Sequence, residues 1–371
     1  MHARTDAATL NTPHRSAGAT PRQHLHTHPA PGSGAAPGAG PEDAKAFEAR
    51  VVAEATALVA PDTDGGDAHD DGLEEVSPVR RTATILVVVL PFVGLIAAMA
   101  LSWGEWFTWT HVVMLAVGYV LTGLGITVGF HRLFTHKSFE AGPVVTAVLG
   151  VLGSMAVQGS LIDWVQDHRR HHQHSDKPDD PHSPHVHGEG LKAWVKGVWH
   201  SHIGWFFTRR PKGMERYAPD LWKNPLIRFV DRMFVLWVAL GLLIPAAIGY
   251  AATGTWGGAL LGLLWGGLAR VFLIHHVTWS VNSVCHLWGT RPFRSHDHSR
   301  NNPIFGVLAL GEGWHNNHHA FPASARHGLR WWEFDISYIT IRAMEVVGLA
   351  RNVRVPERAR LEAKKVNAKA A

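Results

Sequence analysis

Cysteine is all but absent: Cys285 stands alone among 371 residues. No disulfide can close within the chain, and a four-thiolate iron–sulfur cluster or a cysteine-rich zinc site is excluded. No dense basic stripe is interleaved with aromatics, so nucleic acid is set aside as a partner. A haem-binding His-Pro-Gly-Gly motif is missing. Gly123, Gly125 and Gly129 come near a dinucleotide fingerprint, but with the wrong spacing and inside an apolar run rather than after a strand. Large apolar residues are scarce from 1 to 77, a stretch of Ala, Pro, Gly, Thr, Asp and His. Such a segment buries too little surface to offset its ordering entropy, so 1–77 is expected to be a disordered extension. A short helix over Ala44–Leu58 is the exception, and no secretory-type apolar core is present. His24, His26 and His28 read there as a compositional tract.

What the chain does have is long apolar runs. Thr82–Leu101 follows Arg80 and Arg81, and His111–Phe130 returns after a turn with Trp103, Glu105, Trp106 and Trp109. Met233–Ala251 and Trp256–Thr278 form a second such pair, joined by Ala252-Thr253-Gly254. Runs of about 20 apolar residues match a bilayer core. Gly142–Leu161 is broken by glycines and Pro143, and reads as a helix that dips into the bilayer or packs under it. Arg132, Lys137, Arg169, Arg170, Lys192, Arg209, Arg210, Lys212 and Arg228 would then share one face with both termini. By the positive-inside rule that face is cytoplasmic, in a multi-pass protein of the cell membrane. The 16 tryptophans suit its interfaces. The expected fold is an all-α integral membrane protein. Four transmembrane helices (82–101, 111–130, 233–251, 256–278) form two hairpins with a helical cytosolic cap. The membrane domain spans 78–350, and 351–371 is a polar tail.

Histidine is the other excess, at 27 residues. His315, His318 and His319 stand at i, i+3 and i+4, on one helical face. His168, His171 and His172 repeat that pattern, and His131 and His136 precede both. Asn282 and His286, spaced i and i+4, follow the fourth span. Three imidazoles on one face can hold a transition metal. On the expected topology all these groups gather at one mouth of the bundle. Nine imidazoles, with Asn282 positioned to hold a water, exceed the needs of one metal. Two metals with four or five ligands each is the economical count. Imidazole alone does not separate iron from zinc; a structural zinc would close its ligands, whereas redox chemistry on an apolar substrate explains a site at a bilayer. Asp167 and Asp176 are candidates to accept the second ring N–H of a ligand histidine. His174, His182, His185, His187, His200, His202, His275, His276, His296, His298 and His327 fall outside the pattern and read as loop or interface residues, some of them orienting ligands. Glu312 and Trp314 read as packing residues, or as partners that orient a ligand, rather than as ligands.

These motifs resemble those of the membrane fatty-acid desaturases, most closely the Δ9 acyl-CoA (stearoyl-CoA) type. The likeness rests on His131-Arg132-Leu133-Phe134-Thr135-His136 and on Asp167-His168-Arg169-Arg170-His171-His172 followed by Asp180-Pro181-His182. Ser201-His202-Ile203-Gly204-Trp205, Asn282-Ser283-Val284-Cys285-His286 and the run Gly311–His319 extend it over roughly 80–350. The resemblance implies a non-haem di-iron enzyme that uses O2 to place a cis double bond, at Δ9, in a C16–C18 acyl-CoA. It implies that His131, His136, His168, His171, His172, His286, His315, His318 and His319 ligate iron, with Asn282 reaching one iron through water. Gln158, Trp164 and Thr278 match positions at the bend of the acyl tunnel. Tyr119 and Gly123 match its far end. Asp167, Arg209 and Arg210 match positions at the coenzyme A headgroup, while Gln166 stands where vertebrate members carry Arg.

Reducing O2 to two waters takes four electrons, and forming one C=C from CH2–CH2 supplies two. With no cofactor motif of its own, the chain is expected to take the other two from a separate ferredoxin- or flavoprotein-type donor docking near Arg294, Arg326 and Arg330. Related readings are a membrane di-iron hydroxylase or oxygenase and a desaturase of acyl-lipids. A histidine-rich metal carrier is the reading from another class. Against the carrier, the spans offer almost no ionisable residue to line an ion path, His275 and His276 being the nearest.

Overall fold

The computed structural model describes residues 72–102 and 107–366. The helix expected at Ala44–Leu58, nearly all of the disordered extension, and Trp103, Glu105 and Trp106 lie outside the described residues. Among those described, four helices are long and apolar enough to cross a membrane: Pro78–Leu101, Trp109–Thr135, Phe234–Thr253 and Trp256–Leu287. The first and third bury only 17% and 11% of their apolar windows, against 44% and 56% for the second and fourth. The second and fourth are therefore the inner pair. Leu86, Val89, Phe92 and Val93 on the first helix are exposed, as suits a lipid-facing surface.

The inner helices outrun the apolar runs that mark them in sequence. At 32 residues the fourth is ~48 Å long, against a hydrocarbon core of ~30 Å. Both inner helices end in histidine ligand candidates, His131 on the second and His286 on the fourth. In a bilayer crossing, that excess length would carry the imidazoles beyond the apolar layer.

Close backbone contact holds these helices together. A Cβ on Gly249 would lie 2.2 Å from the Gly258 carbonyl oxygen, so the third and fourth helices meet where neither bears a side chain. Buried His111, on the second helix, accepts from Thr108 N at 3.0 Å through Nδ1 and reaches Gly258 O at 3.2 Å through Nε2. One charge lies within the expected fourth span. Arg270, on the fourth helix, is 2% exposed and has no carboxylate partner among the described residues. Its guanidinium donates to Thr122 Oγ1 (3.1 Å), Met155 O (2.9 Å) and Gly241 O (3.3 Å), tying three neighbouring segments to one helix. Carbonyl dipoles replace a counter-ion there, as intramembrane cations require.

The interrupted apolar stretch forms Pro143–Ser154, whose 12 residues reach only ~18 Å, too short to cross. It packs on the second helix where a Cβ at Gly125 would lie 2.2 Å from Gly153 N. Leu161–His174 and His315–Ala320 complete the frame of the site. The latter is too short to persist alone. Asn317 Nδ2 donates to Glu333 Oε2 and to His327 O, both at 2.7 Å, and Asn316 accepts from Phe293 N at 2.9 Å, so its neighbours hold it. Two short antiparallel pairs add little area: Leu73–Glu74 with Arg210–Pro211, and Glu140–Ala141 with Ala350–Arg351.

Candidate metal centre

The first histidine pair depends on a local change of helix type. Residues five apart on an α-helix point ~140° away from each other. From Gly125 to Thr135 the second helix widens to π geometry, and His136 N donates to His131 O at 3.1 Å, an i→i+5 closure. The two rings then stand 4.8 Å apart. Nothing in the sequence apart from the spacing itself signals this widening.

Nine histidines gather into two clusters: His131, His136, His168, His172 and His318 in the first, His171, His286, His315 and His319 in the second. Each i, i+3, i+4 triad is split between them. On Leu161–His174 the i, i+4 pair His168 and His172 enters the first cluster, and His171 turns to the second. On His315–Ala320 the i, i+4 pair His315 and His319 enters the second cluster, and His318 turns to the first. One turn of helix carries i and i+4 to nearly the same azimuth and leaves i+3 about 100° from i+4. Two helices thereby exchange one imidazole each. The sequence shows the shared face, but this division needs the partner helix.

Imidazole nitrogens face each other across both clusters. His131 and His318 Nε2 are 3.1 Å apart, His318 and His172 Nε2 2.9 Å, His168 and His172 Nε2 3.1 Å, and His286 and His315 Nε2 3.0 Å. His131 gives its other nitrogen to Glu312 Oε2 at 2.6 Å, and His286 gives its own to Asp176 Oδ2 at 2.9 Å. A neutral imidazole that donates from Nδ1 presents only a lone pair at Nε2. Several further ring nitrogens, among them His136 Nε2, His315 Nδ1 and His319 Nε2, are buried without a hydrogen-bond partner. Such a donor set fits metal ions. With metal–nitrogen bonds of ~2.1 Å, separations of ~3.0 Å correspond to adjacent ligands at right angles, whereas a tetrahedron gives ~3.4 Å.

The electrostatics agree. Burial, reinforced by the neighbouring imidazoles, pushes His136, His168, His172, His315 and His318 well below the ordinary histidine range. His319 is lowered by burial to about 4 despite its Asp297 partner. These rings are therefore neutral, the form that ligates. Burial alone would raise Asp176, Asp180, Asp297 and Glu312, but the imidazoles and hydrogen bonds facing them outweigh it and hold all four below the usual carboxylate range.

Each of those carboxylates orients a histidine: Asp180 holds His171 Nδ1 at 2.9 Å, and Asp297 binds His319 Nδ1. Asp176 takes the part expected of it, whereas Asp167 pairs instead with Arg210 at 2.6 Å. Glu312 neighbours the first cluster through His131, and Trp314 is packed away with Nε1 donating to Phe334 O at 2.9 Å. Two histidines set aside in the sequence prove to be deeply buried beside the clusters. His327 lies 3.2 Å from Glu312, and the His182 ring lies 4.3 Å from that of His171. The Asp180-Pro181-His182 run pointed to His182, while His327 and Asp297 carried no spacing signal.

A cavity of about 560 Å³ runs beside both clusters and is lined by His131, His168 and His315. Gly123, Gln158, Trp164, Asp167, Arg210, Thr278 and Asn282 all line it; Tyr119 and Arg209 do not. Tyr119 donates to Leu308 O at 2.7 Å, and Arg209 pairs with Glu75. Trp164 stacks on His168 with centroids 4.9 Å apart, making an apolar wall against an imidazole. Gln158 Nε2 donates to Thr278 Oγ1 at 3.0 Å. Next to it Val157 holds φ +61°, a conformation disfavoured for a β-branched residue. His275 Nε2, 2.9 Å from Ala156 O, helps to hold that turn against the fourth helix.

Four helices long and apolar enough to cross a membrane thus carry two imidazole clusters that could hold metal ions, with a cavity beside them. The family profile described as fatty acid desaturase matches residues 105–338, and the chain belongs to that family. It is 42% identical over 284 residues to the hex-5-enoyl-[acyl-carrier protein] acetylenase of Moorena producens (strain JHB), covering 76% of this chain and 88% of that protein. It is 39% identical over 256 residues to the sn-1 stearoyl-lipid 9-desaturase of Anabaena variabilis, covering 68% and 87%. It is 37% identical over 299 residues to the icosanoyl-CoA 5-desaturase of Limnanthes douglasii, covering 79% and 76%.

Proposed function

We propose that this protein is an O2-dependent desaturase that introduces a cis double bond, at Δ9, into a saturated C16–C18 acyl chain at a di-iron centre. The observation that carries the reading is the cavity passing directly beside both histidine clusters, with the Gln158–Thr278 contact at its side. The first iron would be held by His131, His136, His168, His172 and His318, the second by His171, His286, His315 and His319, with Asn282 reaching the second through water. Iron bound there supplies the activation of O2 and the removal of two hydrogens. The chain's own residues do the rest. Trp164 and the walls of the second and fourth helices exclude water and confine the methylene chain, and the turn at Val157–Gln158 fixes where it bends. Acyl chains on CoA, on lipid and on acyl-carrier protein are all named among the relatives, so the acyl-CoA implied by the sequence resemblance is one of three carriers.

Domain limits of 78–350, two hairpins, a cytoplasmic active-site cap and a separate ferredoxin or flavoprotein donor docking near Arg294, Arg326 and Arg330 complete the reading. Arg294 and Arg330 are exposed, and Arg326 lies over the Tyr338 ring, so this surface is cationic. Expression in a desaturase-deficient host, followed by gas chromatography of its fatty acids, tests activity, bond position and chain length together. No new unsaturated species would overturn the proposal. Gly123 sharpens it: a Cβ there would meet Leu310 Cδ1 at 2.8 Å and Ile274 Cδ1 at 3.3 Å. Gly123→Leu should favour C16 over C18 substrates, and an unchanged preference would remove Gly123 from the chain-length end.

A further inference from the structure

We infer that the acyl chain reaches this cavity as part of a membrane glycerophospholipid rather than as a CoA or carrier-protein thioester, an inference that rests on the desaturase reading. It departs from the acyl-CoA expected by resemblance, and the reason is charge. Besides Glu312, which is engaged by His131, the charged side chains lining the cavity are Arg80, Arg210, Asp163 and Asp167, the group that would form its mouth. Arg210 is only 16% exposed and is clasped by Asp167 at 2.6 Å and by Asp163 at 3.3 Å. Two cations and two carboxylates leave the mouth without net charge. Arg209, the other arginine implied at a CoA headgroup, pairs with Glu75 outside the cavity. That exposed pair opens at little cost, but the buried Arg210 pair does not.

CoA carries a phosphomonoester and a pyrophosphate, about four negative charges. Bringing it to this mouth would set those charges beside Asp163 and Asp167, and an acidic carrier protein meets the same repulsion. A phospholipid needs much less. Arg80 is in no ion pair among the described residues, so its guanidinium is free for one phosphate. It lies in the first turn of the first membrane helix, the depth at which long cationic side chains reach the headgroup layer. Below it Ala83, Thr84 and Val87 of the same helix line the cavity, and Ala83 is exposed on this outer span. The cavity is thus walled on one side by a helix that faces lipid, so an acyl chain can enter sideways while its headgroup stays at Arg80.

The test uses the full-length protein in lipid nanodiscs and a phosphatidylglycerol with a photoreactive saturated chain. Labelling should fall on cavity residues and be displaced by dipalmitoylphosphatidylglycerol but not by palmitoyl-CoA or palmitoyl-carrier protein. Arg80→Gln should weaken labelling by about tenfold or more, as for one charge-assisted hydrogen bond. Asp163→Asn with Asp167→Asn should let palmitoyl-CoA compete, a gain that misfolding cannot mimic. Displacement of the label from the unaltered protein by either thioester at lower concentration than the lipid would overturn the inference. Turnover with iron and reduced ferredoxin separates the two readings. A double bond formed on CoA alone defeats the lipid carrier and keeps the desaturase. Lipid labelling with no double bond on any carrier keeps the carrier and defeats the desaturase.

Discussion

The two histidine clusters differ in what stands behind them. In the second, three of four imidazoles are anchored by a carboxylate: His171 by Asp180, His286 by Asp176 and His319 by Asp297. In the first, among the described residues, only His131 is, through Glu312, and that carboxylate is shared with Arg132 and His327. The first cluster instead relies on packing and number: five rings against four, with Trp164 stacked on His168. An imidazole hydrogen-bonded to a carboxylate is a stronger base and is fixed in tautomer and orientation. Metal at the second cluster would therefore face more negative charge at one bond's remove, and metal at the first a more nearly neutral nest. Two ions in such unlike settings need not bind or be reduced alike.

The harshest way to break this comparison is to remove one imidazole from each side. His318 stands between His131 and His172 in the first cluster, and His315 faces His286 in the second. His318→Ala and His315→Ala should each abolish double-bond formation and each cost one of two irons, measured by metal analysis of the purified protein. Retention of both irons with full activity in either variant would break the ligand assignment.

Next in size are the carboxylates. Asp297→Asn and Asp176→Asn should weaken iron binding about 10–100-fold, the usual cost of removing a partner behind a ligand histidine. Glu312→Gln should lower affinity at the first cluster and also destabilise the fold, because fully buried Arg132 then keeps only Asp335, at 3.0 Å. Chelator titrations of the three variants separate the effects. Equal loss with unchanged thermal stability in all three would show that the clusters are not differently supported.

Acidification acts on the metal-free protein. His136, His168, His172, His315, His318 and His319 have folded values below the ~6.5 of an unfolded chain, so below that pH the unfolded state binds more protons. Their contribution is intact above pH ~6.5 and is lost progressively as pH falls, through about 4 for His319. The depressed carboxylates act in the same direction at lower pH. Thermal unfolding in detergent should show a Tm falling between pH 7 and 5. Replacing His136 and His168 by Gln should flatten that fall more than replacing His319. A Tm independent of pH over that range would contradict neutral, buried imidazoles.

What the sequence made legible follows from which forces are local. Apolar runs mark the spans because lipid demands them all along a helix. Histidine spacing marks the ligand candidates because one helical turn is a local repeat. Three features lay beyond that reach. The π widening at Gly125–Thr135 begins where Gly125 packs against Gly153, a neighbour the local sequence does not reveal. Arg270 looks like a charge misplaced in a span until three partner segments supply its acceptors. Asp297 sits in a Ser-His-Asp-His-Ser loop whose histidines draw attention, yet the aspartate reaches the cluster and His298 remains exposed. Each is a contact between segments distant in the chain.

The smallest expected effect concerns the two buried histidines that flank the clusters, one on each side. His182 lies 3.8 Å from the Asp180 carboxylate that orients His171, and His327 is 3.2 Å from the Glu312 carboxylate that orients His131. Neither belongs to the five-ring or the four-ring group. If they support the carboxylates only, both His182→Gln and His327→Gln should keep both irons; His327→Gln should cost about 1 kcal/mol, the net worth of one hydrogen bond, and His182→Gln less, its ring being beyond hydrogen-bond range of Asp180. Glutamine keeps a donor near each carboxylate, so activity should fall only a few-fold. Loss of an iron from His327→Gln but not from His182→Gln would make His327 a sixth ligand of the first cluster. The two clusters would then differ in ligand number by two, and the poorer carboxylate support of the first would be offset by a further imidazole.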